Sequence, residues 1–400
     1  MDIPQGYKQT ELGIIPEDWE IVNLGSVAKI NGRIGFRGYT TADLVGVGQG
    51  AYTIGGKHIT NMVLDLHDAE YISWQKYYES PEIMVRKGDI VFAQRGTLGK
   101  SAFIVNDIGP ATINPSLVLI NKIKCDNEYL SYWLQCDKIV EYICSINSQT
   151  SIPMITQNQI EHIPVVLSRI KAEQQAIAEA LGDIDGLIAT LDKKIAKKRL
   201  IKQGAMQQLL TGKKRLPGFS GPWMERKLGA ISHIKTGSCN GDQAVDNGKY
   251  PFFVRSQKVY AIDSYSYDGE AILVPGEGGI GSIFHYINGK FDYHQRVYKI
   301  SDFADNVCGK YIFFYMSRYF GEYALSLTVK ATVDSLRLPT FEEFVICMPL
   351  NIEEQQAIAT ILNDMDKEID DLEAQRDKYR LLKSGMMQKL LTGQIRLKIK

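Results

Sequence analysis

The sequence has little that indicates a membrane protein, a secreted protein or a lone polyanion-binding protein. Its 46 lysines and arginines equal its 46 aspartates and glutamates, so the formal net charge is zero. A protein that binds nucleic acid tightly by itself needs a basic surface to displace counterions. The balance of charges is therefore weak evidence against that class. The sequence is still compatible with a local basic face, or with a basic face shared with a partner. Neither a signal-peptide pattern nor an apolar run of roughly 18 residues is visible, so no membrane is expected.

Cysteines and metal-ligand patterns are also sparse. The six cysteines are scattered without a CxxC pair, and the six histidines form no cluster with metal-ligand spacing. This excludes the common zinc motifs and argues against a disulfide framework in a chain of 400 residues. We therefore expect reduced, mostly packed cysteines, a cytoplasmic protein, no metal site and no catalytic constellation.

A duplicated segment dominates what is present. "AEQQAIAEALGDIDGLIATLDKKIAKKRLIKQGAMQQLLTG" (residues 172–212) recurs as "EEQQAIATILNDMDKEIDDLEAQRDKYRLLKSGMMQKLLTG" (residues 353–393), without gaps and with roughly half the positions identical. Internal repeats of this kind reveal an architecture built from two copies of one unit. Each copy follows a longer segment, and these two segments are only faintly similar to each other.

The duplicated segments predict two long helices. Apolar residues recur every seven positions, the spacing of a coiled-coil seam. Gly212 and Gly393 follow the last apolar residues and are expected to end the helices. One apolar stripe cannot be buried alone, so the two helices are expected to pack together as an antiparallel pair through Ile177, Ile184, Leu191, Ile358, Met365 and Leu372.

The two variable segments predict mixed globules, because short β-rich runs alternate with glycine and asparagine turns and with some helix. We therefore predict an α+β fold with a pseudo-twofold internal repeat: two mixed α/β domains separated by two long antiparallel coiled-coil helices. The expected boundaries are residues 1–170 for the first domain, 171–212 for the first helix, 213–351 for the second domain and 352–400 for the second helix.

One glycine motif imitates a nucleotide site. "ILVPGEGGIG" (residues 272–281) has the GxGxxG spacing of a dinucleotide-binding loop, which requires a strand before it and a helix after it. Here a turn signal at Asn288–Gly289 and a further strand are expected instead. The matching stretch of the first half has Arg95 in place of the first glycine, and "GTLGKS" (residues 96–101) lacks the first glycine of a P-loop. A strand–loop–strand is the better interpretation, and a nucleotide-binding enzyme using the Gly276 loop is an alternative of a different class.

The order of two variable segments and two near-identical helices resembles the specificity (S) subunit of type I restriction-modification systems. The motifs that support the resemblance are "ELGIIPEDWE", "LPGFSGPW", and "EQQAIA" and "LLTG" in each helix, and it covers essentially the whole chain. It implies that the variable segments are target-recognition domains reading the two halves of a bipartite site in double-stranded DNA. A subunit of a methylation-only or type II-like system is an alternative within the same class.

The resemblance also implies partners and the absence of catalysis in this chain. An S subunit binds two adenine methyltransferase (M) subunits and is joined by restriction (R) subunits. S-adenosylmethionine, ATP and magnesium are then expected in those partners, and no cofactor in this chain.

The glycine loops supply the expected DNA contacts. Arginine and lysine suit guanine, glutamine suits adenine, and glutamate accepts from cytosine. For the first domain we predict Lys57, Gln94, Arg95, Thr97 and Lys100. For the second domain we predict Arg255, Ser256, Lys258, Glu277, His294 and Arg296, with Lys330 and Thr332 behind them.

Overall fold

The computed structural model describes residues 3–60, 62–146, 153–327 and 335–398. Two compact units make up the chain. Unit 1 comprises residues 1–190 and 376–400, and unit 2 comprises residues 191–375.

Unit 1 contains fourteen described strands, most of them short because glycine and asparagine turns interrupt the β-rich runs. The strands are β1 (Tyr7–Thr10), β2 (Gly13–Pro16), β3 (Trp19–Asn23), β4 (Lys29–Gly32), β5 (Leu44–Val45), β6 (Gly50–Ile54), β7 (Ile59–Thr60), β8 (Val63–Leu64), β9 (Glu70–Ser73), β10 (Ile90–Ala93), β11 (Ser101–Phe103), β12 (Ala111–Ile113), β13 (Leu117–Asn121) and β14 (Pro164–Ser168). Its described short helices are α1 (Leu24–Val27), α2 (Trp74–Tyr78), α3 (Asn127–Trp133), α4 (Asp137–Ile146) and α5 (Gln157–Glu161).

Two four-stranded sheets organise unit 1. One has the strand order β11-β10-β13-β4 and the other β12-β6-β9-β5. β12 and β6 are parallel, whereas β10, β13, β4 and β11 pair antiparallel. The strands β4, β6, β10 and β12 therefore all end, and β13 begins, at one edge of the unit.

Two 39-residue helices follow the variable segments: α6 spans Lys171–Leu209, and α10 spans Ile352–Leu390. At about 1.5 Å per residue each is about 58 Å long. Each helix begins in one unit and ends in the other. Gly212 and Gly393, just beyond the helix ends, have φ angles of 67° and 68°, the left-handed conformation in which glycine commonly terminates a helix.

Unit 2 repeats the plan of unit 1 with a larger sheet. Its sheet has the strand order β16-β21-β19-β20-β17-β18, and a separate pair joins β15 to β22 just as β3 pairs with β14 in unit 1. The elements are β15 (Trp223–Lys227), α7 (Leu228–Ile231), β16 (His233–Thr236), β17 (Tyr250–Phe253), β18 (Val259–Ile262), β19 (Tyr267–Pro275), β20 (His285–Tyr293), β21 (Val297–Ser301), α8 (Gly309–Leu327), α9 (Leu338–Glu342) and β22 (Val345–Pro349).

The prediction of a turn at Asn288–Gly289 is wrong. β20 runs through both residues and pairs with β19 from Leu273↔His285 to Tyr267↔Phe291. Gly289, at φ 143°, lies opposite Gly269, at φ 151°. Both angles favour glycine, so two facing glycines keep the ladder continuous where an asparagine–glycine pair alone indicates a hairpin.

The helices pack antiparallel in both units, which confirms the predicted fold class. In unit 2, Lys198 pairs with Glu368 at 2.7 Å and Lys202 pairs with Asp366. Residue numbers along α10 therefore fall as those along α6 rise, which is the antiparallel direction. In unit 1, Lys383 of α10 pairs with Asp185 of α6 at 2.7 Å. Several cations of the basic run 192–202 thus pair with acidic residues of the other helix, as a solvated helix face does.

The predicted helix-packing residues separate into two groups. Ile177 and Ile358 are buried in the main cores of units 1 and 2, and Met365 packs against the latter. Leu191 and Leu372 join Ile195 and Ile369 in a small cluster between the two helices. Ile184 is half-buried. The seven-residue spacing therefore serves globule packing at the start of each helix and helix pairing further along.

A buried carboxylate ties the helix start to the segment beyond the other helix. Glu173 is 1% exposed and accepts from Arg396 Nε at 2.8 Å and Nη2 at 2.9 Å, from Ser168 Oγ at 2.5 Å and from Trp19 Nε1 at 3.2 Å. Burial alone raises the pKa of this carboxyl, but the hydrogen bonds from Arg396 and Ser168 bring it below its ordinary value. In unit 2 the equivalent Glu354 accepts from Arg215 at 2.6 and 2.7 Å.

Replacing Arg396 with alanine is expected to lower the free energy of unfolding by about 3 kcal/mol, because Glu173 is left charged and buried without its partner. The loss should appear at neutral pH and diminish as the pH falls through the pKa of Glu173. A carboxyl whose pKa is lowered by folding stabilises the folded state only while it is ionised, at a pH above that pKa. Denaturant unfolding of the full chain followed by circular dichroism measures it. The control is Arg169→Ala, whose exposed pair with Glu20 is expected to contribute under about 1 kcal/mol. Equal losses in both variants would contradict the prediction.

Candidate nucleic-acid interface

Four loops of unit 1 meet at the edge where its strands end. They follow β4 (residues 33–38), β6 (residues 55–58), β10 (residues 94–100) and β12 (residues 114–116). We call this group the unit 1 loop edge. Loops at one edge of a rigid sheet are a common place for binding residues, because the sheet fixes their positions.

Backbone and side-chain hydrogen bonds join these loops. Gln94 N donates to Ser116 O at 3.0 Å, and Asn114 N donates to Ile54 O at 2.8 Å. Arg33 Nε donates to Ile113 O at 3.2 Å. The turn 114–116 therefore lies at the centre of the unit 1 loop edge and holds the other loops around it.

The residues predicted for the first domain all belong to the unit 1 loop edge. Arg95, Thr97, Lys100 and Lys57 are exposed, and Lys57 Nζ lies 3.5 Å from Asp68. Gln94 is half-buried, and its side-chain amide donates to Pro115 O at 3.0 Å. Gln94 therefore holds the turn 114–116, whereas the exposed cations are open to a ligand.

Unit 2 has an equivalent loop edge, formed by residues 237–240, 254–258, 276–284 and 294–296. Gly276 N donates to Arg296 O at 2.8 Å, and His294 N donates to Phe253 O at 2.9 Å. Gln295 N donates to Cys239 O at 2.9 Å. These four loops follow the same strands of the repeat as their counterparts in unit 1, and we call them the unit 2 loop edge.

Two arginines share one carboxylate on the unit 2 loop edge. Glu277 Oε2 lies 3.3 Å from Arg255 Nη1, and Glu277 Oε1 lies 3.2 Å from Arg296 Nη1. The arginine side chains are 51% and 60% exposed, and that of Glu277 is 23% exposed. Three residues that are distant in the sequence thus form one cluster, whose free guanidinium N–H groups can donate to a planar acceptor pair.

His294 is buried, in contrast to these arginines. It is 7% exposed, and its Nδ1 accepts from Arg296 N at 2.9 Å. Burial, together with Arg255 and Arg296, lowers the pKa of His294, so the ring is neutral at neutral pH and able to accept. Its position makes His294 a support for the Arg296 backbone.

Two further predicted residues of unit 2 lie on the loop 254–258. Ser256 is half-buried, and its hydroxyl donates to Lys258 O at 3.0 Å. Lys258 is exposed, with its Nζ 4.8 Å from the centre of the Tyr260 ring. Lys330 and Thr332 lie outside the described residues.

The glycine motif is a strand-to-strand loop. β19 and β20 pair antiparallel on either side of residues 276–284, all of which are described and contain no helix. Gly278, Gly279 and Gly281 adopt positive φ angles, and the ideal Cβ of Gly281 would lie 2.4 Å from Gly321 Cα of α8. The matching loop 94–100 likewise joins the antiparallel strands β10 and β11. Neither loop has the helix N-terminus that a pyrophosphate site requires.

Metal-binding clusters and membrane-spanning helices are both absent from residues 3–60, 62–146, 153–327 and 335–398. No group of three histidine, cysteine, aspartate or glutamate side chains there could hold a metal ion. In the same part of the chain no helix is long and apolar enough to cross a membrane.

The loop edges also contain residues that the sequence pattern did not single out. Arg33 and Arg37 lie on the first loop of unit 1, and the side chain of Gln295 donates to Asn240 Oδ1 at 2.8 Å on the unit 2 loop edge. The signal for the first two was the alternation of glycine and arginine in "NGRIGFRG", directly after a β-rich run.

Comparisons with known proteins agree on one family. The family model described as "Type I restriction modification DNA specificity domain" matches residues 16–198 and 221–379. The MjaX (putative) and MjaVIII type I restriction enzyme specificity subunits of Methanocaldococcus jannaschii are 26% and 25% identical, and each match covers 98% of this chain and 97% of the relative.

Solved structures show the same fold. The type I restriction-modification S subunit from M. genitalium has a TM-score of 0.67 at 14% identity, covering 98% of both chains. A chain from a study of complex assembly in the type I system has a TM-score of 0.57 at 16% identity, covering 95% of this chain and 99% of that one. The family match extends over both units, and the chain therefore belongs to the type I restriction modification DNA specificity family.

Proposed function

We propose that this chain reads a bipartite target in double-stranded DNA, with one half-site at each loop edge. The observation that carries the proposal is the duplication of one loop edge with different side chains. Unit 1 presents Arg95, Thr97 and Lys100, whereas unit 2 presents the Arg255–Glu277–Arg296 cluster. Equivalent loop edges with unlike hydrogen-bonding groups are suited to reading two unlike base sequences.

In this proposal the chain supplies sequence specificity, and its partner subunits supply the catalytic activity. We propose two M subunits that methylate adenine with S-adenosylmethionine, and R subunits that use ATP and magnesium. The neutral total charge fits this division, because partner subunits can provide most of the phosphate contacts while the loop edges contact bases.

Co-expression with the M subunit, followed by mapping of methylated adenines across the genome, tests the proposal. The expected result is one bipartite motif. Exchanging residues 1–170 for the segment of a relative should change one half-site and leave the other intact. Methylation without a bipartite motif, or an exchange that alters both half-sites, would overturn the proposal.

The long helices are expected to set the gap between the half-sites. Inserting one heptad after Thr190 in α6 and one after Gln375 in α10 adds about 10 Å to each helix, equivalent to about three base pairs. Both insertions lie where the helices leave one unit and enter the other, so the packing within each unit is retained. The mapped spacer should lengthen while both half-sites stay the same. Thr190→Ala, at the same place without added length, is the control, and an unchanged spacer in the insertion variant would contradict the prediction.

A further inference from the structure

A phenylalanine side chain on the unit 1 loop edge is exposed to solvent. Phe36 is 84% exposed and lies in a single 3-10 turn, Gly35–Arg37, with glycines at positions 35 and 38. Exposing a whole aromatic ring to water sacrifices the free energy that its burial would provide. Single exposed apolar residues are normal on protein surfaces, so the inference depends on how this one is held and on what surrounds it.

A buried arginine holds the turn. Arg33 is 8% exposed, and it donates to Ile113 O at 3.2 Å, to Thr112 Oγ1 at 3.0 Å and to Arg37 O at 3.4 Å. One guanidinium group therefore links the sheet strand β12 to the residue immediately after Phe36. The ring is presented by a supported turn, and it loses less conformational entropy on binding than a side chain on a loose loop.

Several cations share the loop edge with the ring. The Arg37 guanidinium lies 5.6 Å from the centre of the Phe36 ring and pairs with Glu82 at 3.4 Å. Arg95 and Lys100 are exposed on another loop of the same edge, as is Lys57, which pairs with Asp68 at 3.5 Å. An exposed apolar ring that shares one loop edge with several cations matches a ligand that combines flat apolar faces with negative charge, as stacked base pairs between phosphates do.

We propose that Phe36 inserts between adjacent base pairs of the half-site read by unit 1 and kinks the DNA there. This rests on the proposed function. Apolar wedges of this kind part a base step and bend the duplex, and neighbouring arginines and lysines contact the phosphates. The equivalent loop of unit 2, residues 237–240, reads Gly-Ser-Cys-Asn and has no aromatic residue. The distortion therefore belongs to one half-site alone.

The test uses the complex of the full chain with M subunits and duplexes that contain the mapped target. 2-Aminopurine placed at each step of either half-site reports unstacking, and dyes at the duplex ends report bending by energy transfer. Each M subunit is expected to flip out the adenine that it methylates, which raises the 2-aminopurine fluorescence at that base in both half-sites. Beyond those two positions, the wild-type complex should raise the fluorescence at one further step, in the unit 1 half-site. Phe36→Ala should abolish that rise, reduce the bend and weaken binding about 10-fold, whereas Phe36→Trp should keep all three signals.

Val47→Ala is the matched control. Val47 is 85% exposed in the same unit, but it precedes β6, whereas the loop edge lies beyond the end of that strand at Ile54. It should change neither fluorescence nor affinity. If the wild-type complex binds no target, the proposed function fails. If it binds and Phe36→Ala leaves unstacking and bending unchanged, the wedge is overturned, and weaker assembly with M subunits in that variant would assign Phe36 to a protein contact instead.

Discussion

Replacing Arg296 with alanine is expected to relax base recognition in the half-site read by unit 2 and to leave the other half-site unchanged. Glu277, at the start of the glycine loop, pairs with the guanidinium groups of both Arg255 and Arg296. An arginine directed in this way can donate two hydrogen bonds to guanine O6 and N7. Losing such a pair costs about 1–3 kcal/mol of discrimination, or roughly 5- to 150-fold, at a single base pair.

Methylation rates on a set of duplexes with one substituted base pair each measure this discrimination. Glu277→Gln should also reduce discrimination, because the neutral amide no longer attracts both arginines. Lys290→Ala is the control for removing a cation from unit 2, since Lys290 lies within β20 and its Nζ is 4.6 Å from the centre of the Tyr265 ring. A uniform loss of affinity for every sequence would instead assign Arg296 to a phosphate.

The long helices were predictable because their signals are local. A seven-residue apolar period and a gapless repeat identify α6 and α10 without knowledge of any other part of the chain. The repeat also extends past each helix, since Arg215 and Arg396 both follow the terminating glycine by three residues. That spacing was visible in the sequence, but its purpose depends on a buried glutamate that the linear pattern does not place nearby.

The loop edges required the structure because they depend on pairing between distant strands. Arg255, Glu277 and Arg296 were each candidates from residue type, yet their contact follows from β17, β19 and β21 belonging to one sheet. The same limit explains the error at Asn288–Gly289, where the local turn signal is overridden by the facing Gly269. His294 shows the converse case, since a residue type suited to binding lies buried beneath the loop.

Placing a charge on both copies of a repeated apolar patch of the long helices is expected to abolish methylation altogether. Leu200 and Ile201 of α6 are 68% and 46% exposed, and the equivalent Leu381 and Leu382 of α10 are 76% and 48% exposed. The patch occurs once in each unit. Exposed apolar residues that recur at one repeat position fit two copies of one partner, which the proposed function identifies as the M subunits.

Leu381→Glu should remove one M subunit from the purified complex, and the double variant Leu200→Glu/Leu381→Glu should remove both, because a buried unpaired carboxylate costs several kcal/mol in an interface. Mass measurement of the co-expressed complex gives the subunit count, and methylation of genomic adenines gives the activity. Leu187→Glu is the control, since Leu187 is 47% exposed on α6 but its repeat counterpart is Glu368. Full assembly of the double variant with two M subunits would show that the partner binds elsewhere. Loss in all three variants would indicate a general effect of charge on the helix pair.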